Sequence, residues 1–181
     1  MADTYTIDIC GRKVELPLLA ISPDVTIAFF NLHGNRELTD YCGLKLAEKI
    51  IPLEAEVLIT AESKGLQLTH VIAGRLGHAY YAVARKSKKL YMQDGISAEV
   101  KSITTKEKQT FYLSAHDVSL IRNKRVAIVD DVVSTGGSLA ALELLVARAG
   151  GRVAVKAAVL AEGEAAARAD LTYLAALPLF H

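Results

Sequence analysis

The sequence predicts an α/β fold with a central, mostly parallel sheet flanked by helices, on three observations. Strand-like and helix-like segments alternate from Glu56 onward, and strands joined by helical crossovers lie parallel with right-handed connections. Val126-Ala127-Ile128-Val129 is a continuous apolar run, β-branched at three of four positions, the pattern of a strand buried on both faces. The 181 residues are 51% hydrophobic and 23% charged, with no Trp, which suits one well-packed core and not a disordered chain. A single domain over 1–181 is expected.

The same composition excludes other classes. A net charge of +1 gives no general argument for nucleic-acid or membrane binding, and neither partner is expected. No apolar run approaches a membrane span and no signal-like segment opens the chain, so a cytoplasmic location is the default expectation. Cys10 and Cys42 fit a reducing compartment and offer no metal-ligand spacing.

Taken in order, Tyr5 to Ile9 alternates in polarity, Gly11-Arg12 turns, and Lys13 to Leu16 alternates again, so residues 5–18 read as a hairpin. Val25 to Leu32 is a further β-like run, closed by the turn His33-Gly34-Asn35. The apolar spacing of Leu38, Tyr41, Cys42, Leu44, Leu46, Ala47 and Ile50 predicts a helix over 36–51 that Pro52 ends. Ala55 to Thr60 reads as the first central strand, and Leu66 to Leu76 as the helix after it. Ala79 to Ala84 is a second strand, followed by the cations Arg85, Lys86, Lys88 and Lys89. Ser97 to Ile103 and Gln109 to Ser114 alternate as a hairpin inside a long polar excursion, and such excursions are usually functional or mobile. Beyond the 126–129 strand, the helix LAALELLVARAG stops at Gly150. Arg152 to Leu160 is a strand, Glu164 to Arg168 a short helix, and Leu171 to Leu177 a final strand.

Two loops carry chemistry. After the 126–129 strand come Asp130 and Asp131, then Ser134-Thr135-Gly136-Gly137-Ser138. Glycines let several backbone N–H groups converge, and the helix N-terminus adds partial positive charge, which together make a phosphate cradle. Carboxylates facing that cradle would repel a phosphate, so Asp130 and Asp131 suit sugar hydroxyls or a bound Mg²⁺. The run contains neither a Walker loop nor GxGxxG. The bland reading is a strand-to-helix turn in which the two aspartates are solvated caps. The second loop, Glu62-Ser63-Lys64-Gly65, also opens a helix at a strand's C-terminal end, where α/β sheets place ligands, and it too suits a plain cap.

The Asp-Asp and Thr-Gly-Gly-Ser run resembles the signature of the type I phosphoribosyltransferases, and the likeness extends over roughly Glu56 to Gly163. The resemblance implies that family's fold, with a small N-terminal hood over about 1–35, a core over about 55–163 and a flexible lid hairpin over about 90–115. It implies a 5-phosphate site at Ser134, Thr135, Gly136, Gly137 and Ser138, with the catalytic Asp130 and Asp131 on the ribose hydroxyls. It implies a pyrophosphate site at Ser63, Lys64, Gly65, Arg85, Lys86 and Lys89, in a loop whose backbone is unusual in the family, and a purine held by Phe30, Asn31 and Glu162. Core packing is an equal expectation for Phe29 and Phe30.

The implied activity is Mg²⁺-dependent purine salvage: transfer of ribose 5-phosphate from phosphoribosyl pyrophosphate to a free purine, adenine first, then xanthine, guanine or hypoxanthine. Mg²⁺ would be held mainly through the donor's ribose and pyrophosphate, and the family's assembly implies a homodimer. The details pull in several directions. Glu-Ser-Lys-Gly leans towards the adenine enzymes, which carry Arg where Lys64 stands. The Ala-Arg-Lys-Ser-Lys run and lid resemble xanthine enzymes and the effector domain of the purine-operon repressor, yet Gly163 stands where xanthine enzymes carry Lys. The lid has Ser102-Ile103-Thr104 in place of the adenine enzymes' Glu-Tyr, with Glu99 and Glu107 as the nearby acids. A non-catalytic module that binds the donor is the alternative function, and an orotate enzyme ranks last.

Overall fold

The computed structural model describes residues 3–22, 25–101 and 108–180. The chain opens with β1 (Thr4–Ile9), β2 (Arg12–Ser22) and β3 (Val25–Ala28), which form an antiparallel three-stranded sheet in that order. Cys10 and Gly11 make the first turn with positive φ. Helix α1 (Arg36–Ile50) starts at Asn35, whose side chain accepts the Leu38 N–H at 3.1 Å, a cap that satisfies one orphan donor. Then come β4 (Val57–Ala61), α2 (Leu66–Leu76) and β5 (Ala82–Ala84). A hairpin follows, β6 (Ile96–Lys101) and β7 (Lys108–Leu113), paired from Ile96↔Leu113 to Lys101↔Lys108. The chain continues through α3 (Ala115–Ile121), β8 (Arg125–Val133), α4 (Gly137–Arg148), β9 (Arg152–Glu162) and β10 (Thr172–Leu177).

The main sheet has five strands in the order β10-β9-β8-β4-β5, every neighbouring pair parallel. Both faces are covered, as parallel strands require. Leu58, Ala127, Val129 and Ala157 pack on one side with α1, α2 and the amino-terminal sheet, while Val57, Ile59, Val126, Ile128 and Ala158 pack on the other with α4 and the β6–β7 hairpin. The sheet is therefore the shared wall of two cores. Phe111 and Leu113 of the hairpin are fully buried, and Arg85 and Tyr112 exchange two backbone hydrogen bonds of 2.9 and 2.8 Å, which anchor the hairpin beside the end of β5.

Five segments differ from what their sequence suggests. The β-like run 25–32 is a strand only to Ala28; beyond it Phe30 and Leu32 turn into the core at 3% and 2% exposure. The strand expected over 79–84 spans Ala82–Ala84 alone. The polar stretch around His116 and Asp117 is a helix, held by a capping box in which Ser114 and Asp117 bond each other's backbone N–H. Strand β8 does not stop at its acidic pair: Asp130, Val132 and Val133 continue the ladder opposite Ala158, Leu160 and Ala161. The segment expected as a short helix over 164–168 is a 3-10 turn, Gly163–Ala167.

Candidate active site

The carboxyl ends of β4, β5 and β8 and the turn at His33 surround one cleft, the position where open parallel sheets bind ligands. The loop after β4 can lie across the strand ends because residue 65 is glycine. A Cβ there would stand 2.1 Å from Thr60 Oγ1 and 3.4 Å from the Val129 carbonyl oxygen. The Glu62–Ser63 peptide just before it is cis. Glu62 then ties this loop to the segment after β5: its N–H donates to Ala84 O at 2.9 Å, and its Oε1 accepts the Lys86 N–H at 2.7 Å. Its Oε2 lies 3.4 Å from Arg85 Nη1. Two segments 24 residues apart thus bring Ser63, Lys64, Arg85 and Lys86 together, an assembly of cations suited to a polyanion.

The facing wall is acidic. Ser63, Lys64, Lys86, Asp130 and Asp131 line a cavity of about 320 Å³. Asp130 also borders a second cavity, formed by Ser134 to Ser138 and Gln109, so it stands at the junction of the two. Burial and then the neighbouring Asp131 charge raise the pKa of Asp130 well above the usual carboxylate range. Asp130 Oδ1 accepts the Asp131 N–H at 2.9 Å. Asp131 is 4% exposed, and its Oδ2 has no hydrogen-bond partner among the described residues. A buried carboxylate oxygen without a donor is an unfilled acceptor, ready for a hydroxyl or a cation. Among the described residues no group of three His, Cys, Asp or Glu side chains could cage a metal, so these two carboxylates fit a Mg²⁺ that takes most of its ligands from elsewhere.

The second cavity is the phosphate-shaped one. Gly136 precedes α4 with φ of +79°, a conformation glycine adopts without strain, and no side chain caps the helix there. The first N–H groups of a twelve-residue helix therefore remain available at the cavity, with the hydroxyls of Ser134, Thr135 and Ser138 on the same loop.

Not every residue singled out from the sequence comes to this cleft. Phe30 is core, so its neighbour Phe29, half-buried, holds the edge instead, with Lys64 Nζ 5.5 Å from its ring centroid. Asn31 spends its Oδ1 on the His33 N–H at 3.1 Å. Glu162, at the end of β9, and the exposed Lys89 line neither cavity. Ser102, Ile103, Thr104 and Glu107 lie outside the described residues. Sequence reasoning passed over His33, Gln109 and the tethering role of Glu62, which line or brace the two cavities. Of these, only Glu62 carried a signal, as the first residue of the Glu62-Ser63-Lys64-Gly65 loop.

No helix is long and apolar enough to cross a membrane among the described residues. Known proteins resemble this chain in sequence and in fold. The adenine phosphoribosyltransferase of Petrotoga mobilis is 30% identical over 118 residues, 65% of each chain. The xanthine phosphoribosyltransferase of Brevibacillus brevis is 29% identical over 133 residues, 74% of this chain and 67% of that one. The chain thus matches about two thirds of the length of these relatives. Among solved structures, the Trypanosoma brucei adenine phosphoribosyl transferase, in complex with AMP, pyrophosphate and ribose-5-phosphate, superposes with a TM-score of 0.68 at 20% identity, covering 88% of this chain and 73% of that one. Residues 43–176 match the phosphoribosyl transferase domain, and the chain belongs to that family.

Proposed function

We propose that the protein is a Mg²⁺-dependent purine phosphoribosyltransferase, in which N9 of a free purine displaces pyrophosphate at C1 of phosphoribosyl pyrophosphate to give a nucleoside 5′-monophosphate. The observation that carries this reading is the placement of Asp130 between a cationic cleft and a hydroxyl-glycine cradle. One ligand with a phosphate at each end and a sugar between them matches that order. Ser134 to Ser138 grip the 5-phosphate, Asp130 and Asp131 accept from the ribose hydroxyls, and Ser63, Lys64, Gly65, Arg85 and Lys86 hold the pyrophosphate. When bound, Mg²⁺ would be held mainly through the donor's ribose and pyrophosphate, with Asp130 and Asp131 as the carboxylates able to complete its shell, and would supply charge neutralisation on the leaving pyrophosphate. Most of the rate enhancement comes from positioning and from fixed charges aimed at the leaving group. The β6–β7 hairpin, as a lid, would exclude water from the electron-poor C1.

Adenine leads among the bases. The xanthine enzymes' Lys has no counterpart at Gly163, where φ is +57° and a Cβ would stand 2.9 Å from Leu179 Cδ1. Pyrophosphate release is measured with Mg²⁺ and phosphoribosyl pyrophosphate while adenine, guanine, hypoxanthine, xanthine and orotate are offered in parallel. Adenine-dependent release, abolished by EDTA, is the expected result. Donor binding without release for any base would replace this reading by a regulatory module. A homodimer is part of the proposal and is read by light scattering.

A further inference from the structure

We propose that Arg168 is a positioning residue for the 134–138 loop: it holds the loop in its phosphate-binding form from behind and lends it a fixed positive charge. The inference rests on the reading of that loop as the 5-phosphate site. Arg168 follows the 3-10 turn after β9, thirty positions beyond Ser138 at the end of the loop. A Cβ placed on Gly136 would meet Arg168 Nη1 at 2.9 Å and Cζ at 3.9 Å, so the guanidinium fills the space a side chain would take. Gly136 is thus constrained twice, by its positive φ and by the arginine against it.

The guanidinium is not free to swing. Arg168 Nε and Nη2 donate to the two carboxylate oxygens of Asp170 at 3.0 and 2.9 Å, which leaves Nη1 as the nitrogen facing Gly136. Such a fork fixes orientation as well as charge, which a lysine ammonium would not. Asp170 also accepts from Lys156 Nζ at 2.6 Å, and Lys156 reaches Glu143 on α4. The two cations hold the Asp170 carboxyl well below its ordinary range, Arg168 contributing most. A chain of four alternating charges therefore runs from the helix that begins at the loop, across β9, and back to the loop itself. Isolated surface pairs contribute little to stability; the value of this network lies in where Nη1 is held. Arg168, Ser134 and Thr135 border one recess, together with the Glu164 carboxylate, which opposes an anion there.

The test titrates ribose 5-phosphate and, separately, pyrophosphate into the full-length protein and its Arg168→Gln, Arg168→Lys and Asp170→Asn variants by calorimetry. Arg168→Gln is expected to weaken ribose 5-phosphate about tenfold and to leave pyrophosphate within about twofold. Arg168→Lys keeps the charge and loses the fork, and Asp170→Asn keeps the arginine and loosens its anchor, so each gives part of that loss. Equal affinity of Arg168→Gln and parent for ribose 5-phosphate, or an equal loss for both ligands, overturns the inference. If the parent binds pyrophosphate and no ribose 5-phosphate, the phosphate-loop reading falls, and this inference with it.

Discussion

Asp130 shows how a single residue trades stability for a site. Its carboxyl is pushed up in pKa by burial and by Asp131 beside it, so between the ordinary and the raised pKa the folded protein binds a proton that the unfolded chain releases. Stability from this group is full below the ordinary carboxylate pKa of about 3.9 and is lost as the pH rises towards the raised value. Asp130→Asn removes the penalty. At pH 8 its Tm should exceed the parent's by roughly 2–4 °C, about 1 kcal/mol for a domain of this size, and the gain should vanish near pH 4. Turnover should fall sharply in the same variant. Calorimetric scans at the two pH values check this, and a Tm difference independent of pH would refute it. Residues of this kind were legible in the sequence because the acidic pair and the glycine loop are contiguous. The choice between Phe29 and Phe30 was not, since adjacent aromatics read alike and packing alone sends one into the core.

At the scale of elements, the cationic side of the cleft depends on a tether and not on a single strand. The loop after β4 and the segment after β5 are held together by Glu62, through the Lys86 N–H and the Arg85 guanidinium. Hydrogen bonds to a charged group are worth about 1.5–3 kcal/mol when they are partly shielded. Glu62→Ala should therefore free Arg85 and Lys86 and raise KM for the donor about tenfold, with kcat changed less. Glu62→Gln, which keeps an acceptor for the Lys86 N–H, should fall between. Steady-state kinetics on both variants decide it, and an unchanged KM in Glu62→Ala would show that the segments hold their places without the tether. Both loops were visible as motifs, and helix α2 is bounded as its periodicity predicts. The tether spans 24 residues, and no local pattern announces a contact of that kind. Helix α3 was missed for the opposite reason: its seven residues expose Ala115, His116 and Ser119, and its start depends on a capping box more than on an apolar face.

Across the whole molecule, two cores share the five-stranded sheet, and both cavities open at one end of it. The alternation of segments was enough to foresee that sheet, because parallel strands with helical crossovers leave few other arrangements. The run of β8 through its acidic pair was less accessible, since carboxylates usually end a buried strand and here both lie within it, Asp130 paired with Ala158. Asp131 is buried with an unpartnered Oδ2, and a ligand that satisfies it lowers the cost of that burial. Binding should then stabilise one end of the molecule more than the other. With Mg²⁺ and phosphoribosyl pyrophosphate at a hundred times Kd, linkage supplies about 2.7 kcal/mol, or roughly 5–10 °C in Tm for a domain of this length. Hydrogen exchange should slow at 60–65, 84–86 and 130–138, the segments that meet at the cleft. It should change little at the β1–β2 turn, where Cys10 and Gly11 stand apart from both cavities. A rise in Tm with protection spread evenly over both regions would mean that the ligand rigidifies the fold as a unit, and that the carboxyl ends of β4 and β8 are not where it is held.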